Sequence, residues 1–290
     1  MTRARARFQH REVATPGGAQ NGRMDLGLRD RVYLVTGGSR GLGFAAAQAL
    51  IADGARVVLS APHEATAAAA VARLGQHAAG ADAAAWVAAD NADPDTPARL
   101  IAAAGDRFGP LDGALVSVGG TPTGTVATTT DEAWRSAFES VFLGAVRLAR
   151  TLAAELRGES GDGAATGTGG SIVLVLASSV RVPLADLAIS NGLFPALAGV
   201  VKTLADEVGP SGIRINGLLP VRIATDRVRE LDALRGDPDE VRARQSAQIP
   251  LRRYGEPEEF GRAAAFLLSP AASFITGAMI PVDGGAIRSI

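Results

Sequence analysis

Three glycines, Gly37, Gly41 and Gly43, follow the short apolar run Tyr33-Leu34-Val35 and precede a long Ala/Leu stretch free of proline. The chemistry of that pattern is anion binding. Glycine lets a backbone turn sharply and lets a bulky ligand approach the main chain. The unpaired N–H groups opening the next helix then face that ligand, and the helix dipole favours negative charge there. Strand, spacing and helix agree, which is the context in which such a fingerprint carries weight. The plain alternative is an ordinary strand–turn–helix with three chance glycines. Composition excludes other chemistries. The chain has no cysteine, so thiol catalysis, disulfides and cysteine-ligated metals are ruled out. Its three histidines, His10, His63 and His77, have no metal-ligand spacing, and no metal site is expected.

The elements that position the turn are legible along the chain. Apolar runs at 31–36, 55–60, 84–88, 112–117, 171–177, 213–218 and 279–282 read as strands, and strands buried on both faces show such continuous runs. Helical stretches lie between them at 41–53, 64–75, 94–108, 131–157, 186–208 and 256–268. The repeated βα order predicts an α/β fold: one Rossmann-like, doubly wound parallel sheet of about seven strands, with helices on both faces. Ligands in such sheets sit beyond the carboxyl ends of the strands, where the glycine turn lies. The glycine-rich stretch 158–170 reads as a surface loop. Residues 222–250, rich in Arg and Asp, read as a lid over the ligand end.

The 290 residues suit one large domain, and 47% hydrophobic with 20% charged residues marks a globular chain. A net charge of −1 argues against a nucleic-acid partner. No apolar run is expected to reach the ~18 residues of a membrane span. Residues 1–23 carry five arginines against Glu12, about +4, without an apolar signal core. They read as a basic tail ahead of a domain spanning 24–290. The expectation is a cytoplasmic protein with a small-molecule substrate and neither a nucleic-acid nor a membrane partner.

The sequence resembles the short-chain dehydrogenase/reductase superfamily over about residues 25–290. Thr36-Gly37-Gly38-Ser39-Arg40-Gly41-Leu42-Gly43 matches its TGxxxGxG motif. Asp90, followed by Asn91, sits where the family places an aspartate against adenine. Gly119-Gly120 match the end of its NNAG segment, and Ser178-Ser179 follow strand five, where the family has its catalytic serine. Pro220 fits the PG turn, followed by Ile223 and by Thr225 at the family's cofactor-touching threonine. Arg253 to Glu259 and Val282-Asp283-Gly284-Gly285 match the C-terminal blocks. The resemblance implies a nicotinamide cofactor held by these residues, and a homo-oligomer. The end of strand two, Ser60-Ala61-Pro62-His63, has no acid to pair with ribose hydroxyls. Arg40 is the cation suited to a 2′-phosphate, together with Ser60 and His63, so NADP(H) is favoured over NAD(H).

The chain departs from the family at its Asn-Ser-Tyr-Lys tetrad. Aligned on Ala196-Leu197-Ala198-Gly199, the YxxxK positions fall on Ser190 and Phe194, and the Asn position falls on Val141. Ser179 remains, 11 residues before Ser190. The NNAG asparagines give way to Ser117 and Val118. A serine hydroxyl is too weakly acidic to replace a phenol as general acid. The polar groups expected near the reacting end are Ser179, Ser190, Arg181 and Arg222, with Asn191 and with Asp186, the latter read as a helix N-cap. The chain resembles a divergent branch of the superfamily that shares the SSVR segment, Ser-Asn in place of the tyrosine and an RIATDR start to the lid. Three functions stay open. One is an NADP(H)-dependent oxidoreductase, ketoreductase-like, acting on a polyketide or quinone-type substrate with a substitute or substrate-derived proton donor. The others are a non-redox cyclase, isomerase or dehydratase on the same scaffold, and a non-catalytic subunit.

Overall fold

The computed structural model describes residues 24–76, 82–158 and 169–289. The basic segment 1–23, and residues 159–168 of the glycine-rich stretch, lie outside the described residues. Seven strands, β1 (Val32–Val35), β2 (Arg56–Ala61), β3 (Ala84–Ala88), β4 (Gly113–Ser117), β5 (Gly170–Val175), β6 (Ile213–Pro220) and β7 (Met279–Val282), form one sheet in the order β3-β2-β1-β4-β5-β6-β7. Every pairing is parallel, with Val35 opposite both Leu59 and Leu115. The strand order reverses between β1 and β4, which makes their carboxyl ends the place for a ligand.

Helices cover both faces, as the alternation of strand residues demands. In β1, Tyr33 and Val35 pack with α1 (Gly41–Ala52), α2 (Glu64–Gly75) and α9 (Pro257–Leu268). Val32 and Leu34 pack with α3 (Thr96–Phe108), α5 (Gly144–Arg157) and α6 (Ala188–Val208). Successive strand side chains point to opposite faces, so a sheet clad on both sides needs apolar residues at every position. The helix expected at 131–157 is interrupted. α4 (Asp131–Ala137) passes into a π-helical segment, Phe138–Leu143, before α5 continues it, and Val141 is buried within that segment. The long region expected as a lid holds two short helices, α7 (Asp226–Ala233) and α8 (Pro238–Ser246).

One expectation is corrected here. The span from Ala188 to Ser211, 24 residues containing an 18-residue stretch of mean hydropathy 1.3, is long and apolar enough to cross a membrane by length and composition. It is a core helix instead, because Leu193, Leu197 and Val201 bury one side against the sheet.

At the amino ends of the strands, the last carbonyls of α9 are satisfied from the sheet. Tyr33 Oη donates to Leu268 O at 3.3 Å, and Ser171 Oγ to Leu267 O at 3.0 Å. The Arg214 guanidinium bonds Leu267 O at 2.8 Å and Ser269 O at 2.9 Å. A helix end has orphan carbonyls that must find donors. Here β1, β5 and β6 each supply one.

Candidate active site

A cleft of about 490 Å³ opens at the carboxyl ends of the strands, between the β1–α1 turn, the loop after β4, the end of β6 and α7. Gly37, Ser39, Arg40, Gly41, Leu42 and Gly43 all line it, as do Gly119, Pro220, Arg222, Ile223 and Thr225. The turn is built as its glycines require. Gly41 has φ +56°, a left-handed conformation in which a side chain is strained, and it faces Thr225 across the cleft. Gly43 has a different reason: a Cβ there would lie 2.4 Å from the carbonyl oxygen of Gly37. Helix α1 therefore seats directly on the turn. No side chain caps its N-terminus, so its first backbone N–H groups are available to an anion in the cleft. Thr36 Oγ1 ties the turn to β4, donating to Ser117 O and accepting from Ser117 N, each at 2.9 Å.

Of the other residues expected to hold a cofactor, Ser60, Asp90 and Asn91 do not line the cleft. The Arg40 side chain is two-thirds exposed and lies 3.9 Å from Glu230 of α7. Pro62, beyond the end of β2, lines the cleft and no acid accompanies it. Ser60 is buried, and its hydroxyl has no hydrogen-bond partner among the described residues. Its backbone carbonyl accepts from Gly38 N at 2.9 Å, so it braces the turn. Asp90 is exposed, and its carboxylate accepts from Ala92 N. Asn91 Nδ2 donates to Ser117 O at 3.3 Å, linking the β3 loop to the end of β4. An uncapped helix start, a glycine cradle and a rim arginine together fit the phosphates of a nucleotide cofactor.

At the reacting end, Ser179 and Ser190 come together. Their hydroxyls are 3.0 Å apart and both residues are buried behind the cleft wall rather than lining it. Phe194, one turn further along α6, does line the cleft. Arg181 is exposed and lines neither the cleft nor the pocket beside it, so the structure does not bring it to the site. Arg222 lines both, but its charge is already matched. Its Nη1 lies 2.5 Å from Asp232 Oδ1, and the Tyr254 hydroxyl donates to the other carboxylate oxygen at 2.9 Å. Burial, and then the hydrogen bond to Asp232, push the Tyr254 phenol up to about 12.

The neighbouring pocket, about 720 Å³, shares Ala177, Leu187, Pro220, Arg222, Val228 and Leu231 with the cleft. Asp186 lines it. The N-cap of α6 is Leu187, and Asp186 makes no capping bond, contrary to the expectation for it. Two functional candidates were not visible in the sequence. Arg227 of α7 reaches across the cleft mouth to bond Thr121 O at 3.0 Å. Asp232 is buried against Arg222. Both lie in a segment dense in Arg and Asp, and only tertiary packing separates the paired charges from the solvated ones.

The family model described as Enoyl-(Acyl carrier protein) reductase matches residues 37–286. The uncharacterized oxidoreductase Rv1714 of Mycobacterium tuberculosis is 36% identical over 266 residues, covering 89% of this chain and 92% of that protein. The L-rhamnose 1-dehydrogenase (NAD(P)(+)) of Azotobacter vinelandii is 34% identical over 260 residues, covering 89% of this chain and 97% of that protein. Among solved structures, L-sorbose reductase from Gluconobacter frateurii, complexed with NADPH and L-sorbose, superposes with a TM-score of 0.83 at 29% identity, over 92% of this chain and 100% of that one. Glycine turn, strand order, cleft and these likenesses agree: the chain is an oxidoreductase of the short-chain dehydrogenase/reductase superfamily.

Proposed function

We propose that this chain is an NADP(H)-dependent, ketoreductase-like oxidoreductase acting on a polyketide or quinone-type carbonyl, without the family's Tyr-Lys pair. The observation that carries the reading is the uncapped start of α1, lining the cleft beside Arg40, with Phe194 on the same cleft's wall. The NADPH held by the L-sorbose reductase neighbour supports the cofactor.

The α1 N–H groups bind the pyrophosphate, and Arg40 takes the 2′-phosphate in place of Glu230. Thr225 and Ile223 close the cleft from the β6 side, and the α7–α8 segment acts as its lid. When bound, the reduced cofactor supplies a hydride to the carbonyl carbon. Phe194 excludes water from that carbon. Ser179 and Ser190, hydrogen-bonded to each other behind the cleft wall, brace it rather than touch the carbonyl. Neither hydroxyl is acidic enough to replace a phenol, so the oxygen takes its proton from an acidic hydroxyl of the substrate or from solvent. Arg222 contributes a positive field at the growing oxyanion, reduced by Asp232. Arg181 has no part in this arrangement.

The test pairs two measurements on the purified protein. Calorimetric titration should show tighter binding of NADPH than of NADH. Aromatic polyketide ketones and quinones should then drive NADPH oxidation. Binding without any turnover across that panel would overturn the reductase reading. The apolar residues Val118 and Phe194 on the cleft wall favour a second reading, non-redox cyclisation, isomerisation or dehydration. A product of unchanged mass, or one lighter by water, formed without cofactor consumption would establish it.

A further inference from the structure

The Ser190-Asn191 pair stands where the family has its tyrosine, and the reading above leaves Asn191 without a task. The structure gives it one. Asn191 Oδ1 accepts from Leu184 N at 2.8 Å, and Asn191 Nδ2 donates to Leu184 O at 2.8 Å. This two-pronged clamp fixes the loop between β5 and α6. Gly124 fixes it again two and four residues on, its N–H donating to Asp186 O at 2.8 Å and its carbonyl accepting from Ala188 N at 3.0 Å. Within this doubly anchored stretch, Asp186 is held at φ +58°. A non-glycine residue keeps a left-handed backbone only when its surroundings over-determine it, and such residues gather at ligand clamps.

The result is a solvent-exposed acid on a braced support at the edge of the 720 Å³ pocket, which it lines. Its side chain has no hydrogen bond or ion pair among the described residues, and it caps no helix. Two other charged residues line the pocket. Arg222 is ion-paired with Asp232, and Arg235 stands just beyond α7, outside ion-pair distance of Asp186. The walls are otherwise largely apolar, with Leu184, Leu187, Leu231 and Leu234 among them.

We propose that Asp186 is a specificity-determining residue: it selects apolar carbonyl compounds that carry a hydrogen-bond donor, a hydroxyl or an ammonium group, away from the reacting carbon. Asn191 is the positioning residue that holds it in place. This rests on the oxidoreductase reading only in taking the pocket as the substrate's.

The test uses two neutral probes of equal size, 4-hydroxycyclohexanone and 4-methylcyclohexanone, with 4-aminocyclohexanone as the ammonium probe. Calorimetry on the cofactor-free full chain measures their binding without needing turnover. A hydrogen bond to a charged group predicts that the hydroxy and amino probes bind roughly 10-fold tighter than the methyl probe. Asp186→Gly should erase that preference. Glycine suits the left-handed backbone, so the variant keeps its fold, which circular dichroism checks. Asn191→Ala should reduce the preference partway while leaving the carboxylate in place. Equal binding of the three probes by the wild type, or a preference untouched by Asp186→Gly, overturns the proposal. NADPH titrated into the same samples separates the two ideas: intact NADPH binding with no probe preference rejects Asp186 alone, whereas absent NADPH binding strikes the cofactor reading.

Discussion

The Arg222 guanidinium, just after β6, and the Asp232 carboxylate, on α7, form a buried ion pair 2.5 Å long that fastens the roof of the cleft to the sheet. Tyr254 completes it from the segment ahead of α9, and Arg222 holds φ +51° to make the connection. The pair joins the two cavities to the element above them, so its loss has both a stability and a binding consequence.

Asp232→Ala leaves a largely buried guanidinium without its counter-charge. Removing one partner of a buried pair costs about 3–5 kcal/mol. The side chain of Arg222 is 17% exposed, so partial hydration places the loss nearer the bottom of that range. Urea denaturation reads it directly, and limited proteolysis should show faster cleavage between α7 and α8.

Alkali should unfold the protein through its tyrosines. Tyr254 stands at about 12 against an ordinary 10, and burial raises Tyr33 too, with Asp112 adding to the effect. A folded-state value above the unfolded one means the stability is fully present below pH 10 and is lost as pH rises toward 12. Thermal midpoints should therefore fall across that window, and Tyr254→Phe should flatten the decline. Glu259 works at the other end. Its hydrogen bonds from Arg253 hold it at about 2 against 4.5, so its small surface contribution fades as pH falls between those values.

Gly43→Ala should damage the cleft more than its size suggests. The added methyl would meet the Gly37 carbonyl and push α1 away from the turn. Overpacking of this kind costs about 1–3 kcal/mol. The expected result is a lowered melting temperature together with loss of NADPH binding, whereas Gly105→Ala, where nothing lies within 4 Å, should affect neither.

Arg40 and Glu230 predict opposite changes in cofactor preference. Arg40→Gln should weaken NADPH binding roughly 10- to 100-fold, the worth of a charge-assisted hydrogen bond, and leave NADH nearly unchanged. Glu230→Gln frees Arg40 and should modestly strengthen NADPH. Calorimetric titration of each variant with both nucleotides checks the pair.

The sheet was legible because most strands are dominated by apolar residues, even β6 with its Arg214 and Asn216, and the turn because glycine types and spacing encode backbone geometry directly. Local signals failed where tertiary contacts decide the outcome. Nothing near Asp186 in the chain announces that Gly124 will hold it out of the N-cap. The pairing of Arg222 with Asp232 cannot be told apart, in an Arg/Asp-rich segment, from charges facing water. Arg181 looked equivalent to Arg222, yet it ends on the surface, because the turn after Ser178–Val180 carries it away from the cleft. The π segment around Val141 is likewise silent in the sequence, since it holds neither proline nor glycine to mark a break.

The side chains of Tyr33, Ser171 and Arg214, which close the carbonyl end of α9, all sit at the amino ends of their strands. The cleft lies at the opposite ends. The cleft rim can therefore change, by substitution at Phe194 or reshaping of α7, without disturbing the fastening that keeps the sheet folded. A scaffold divided in this way can trade one chemistry for another while its foundation stays the same.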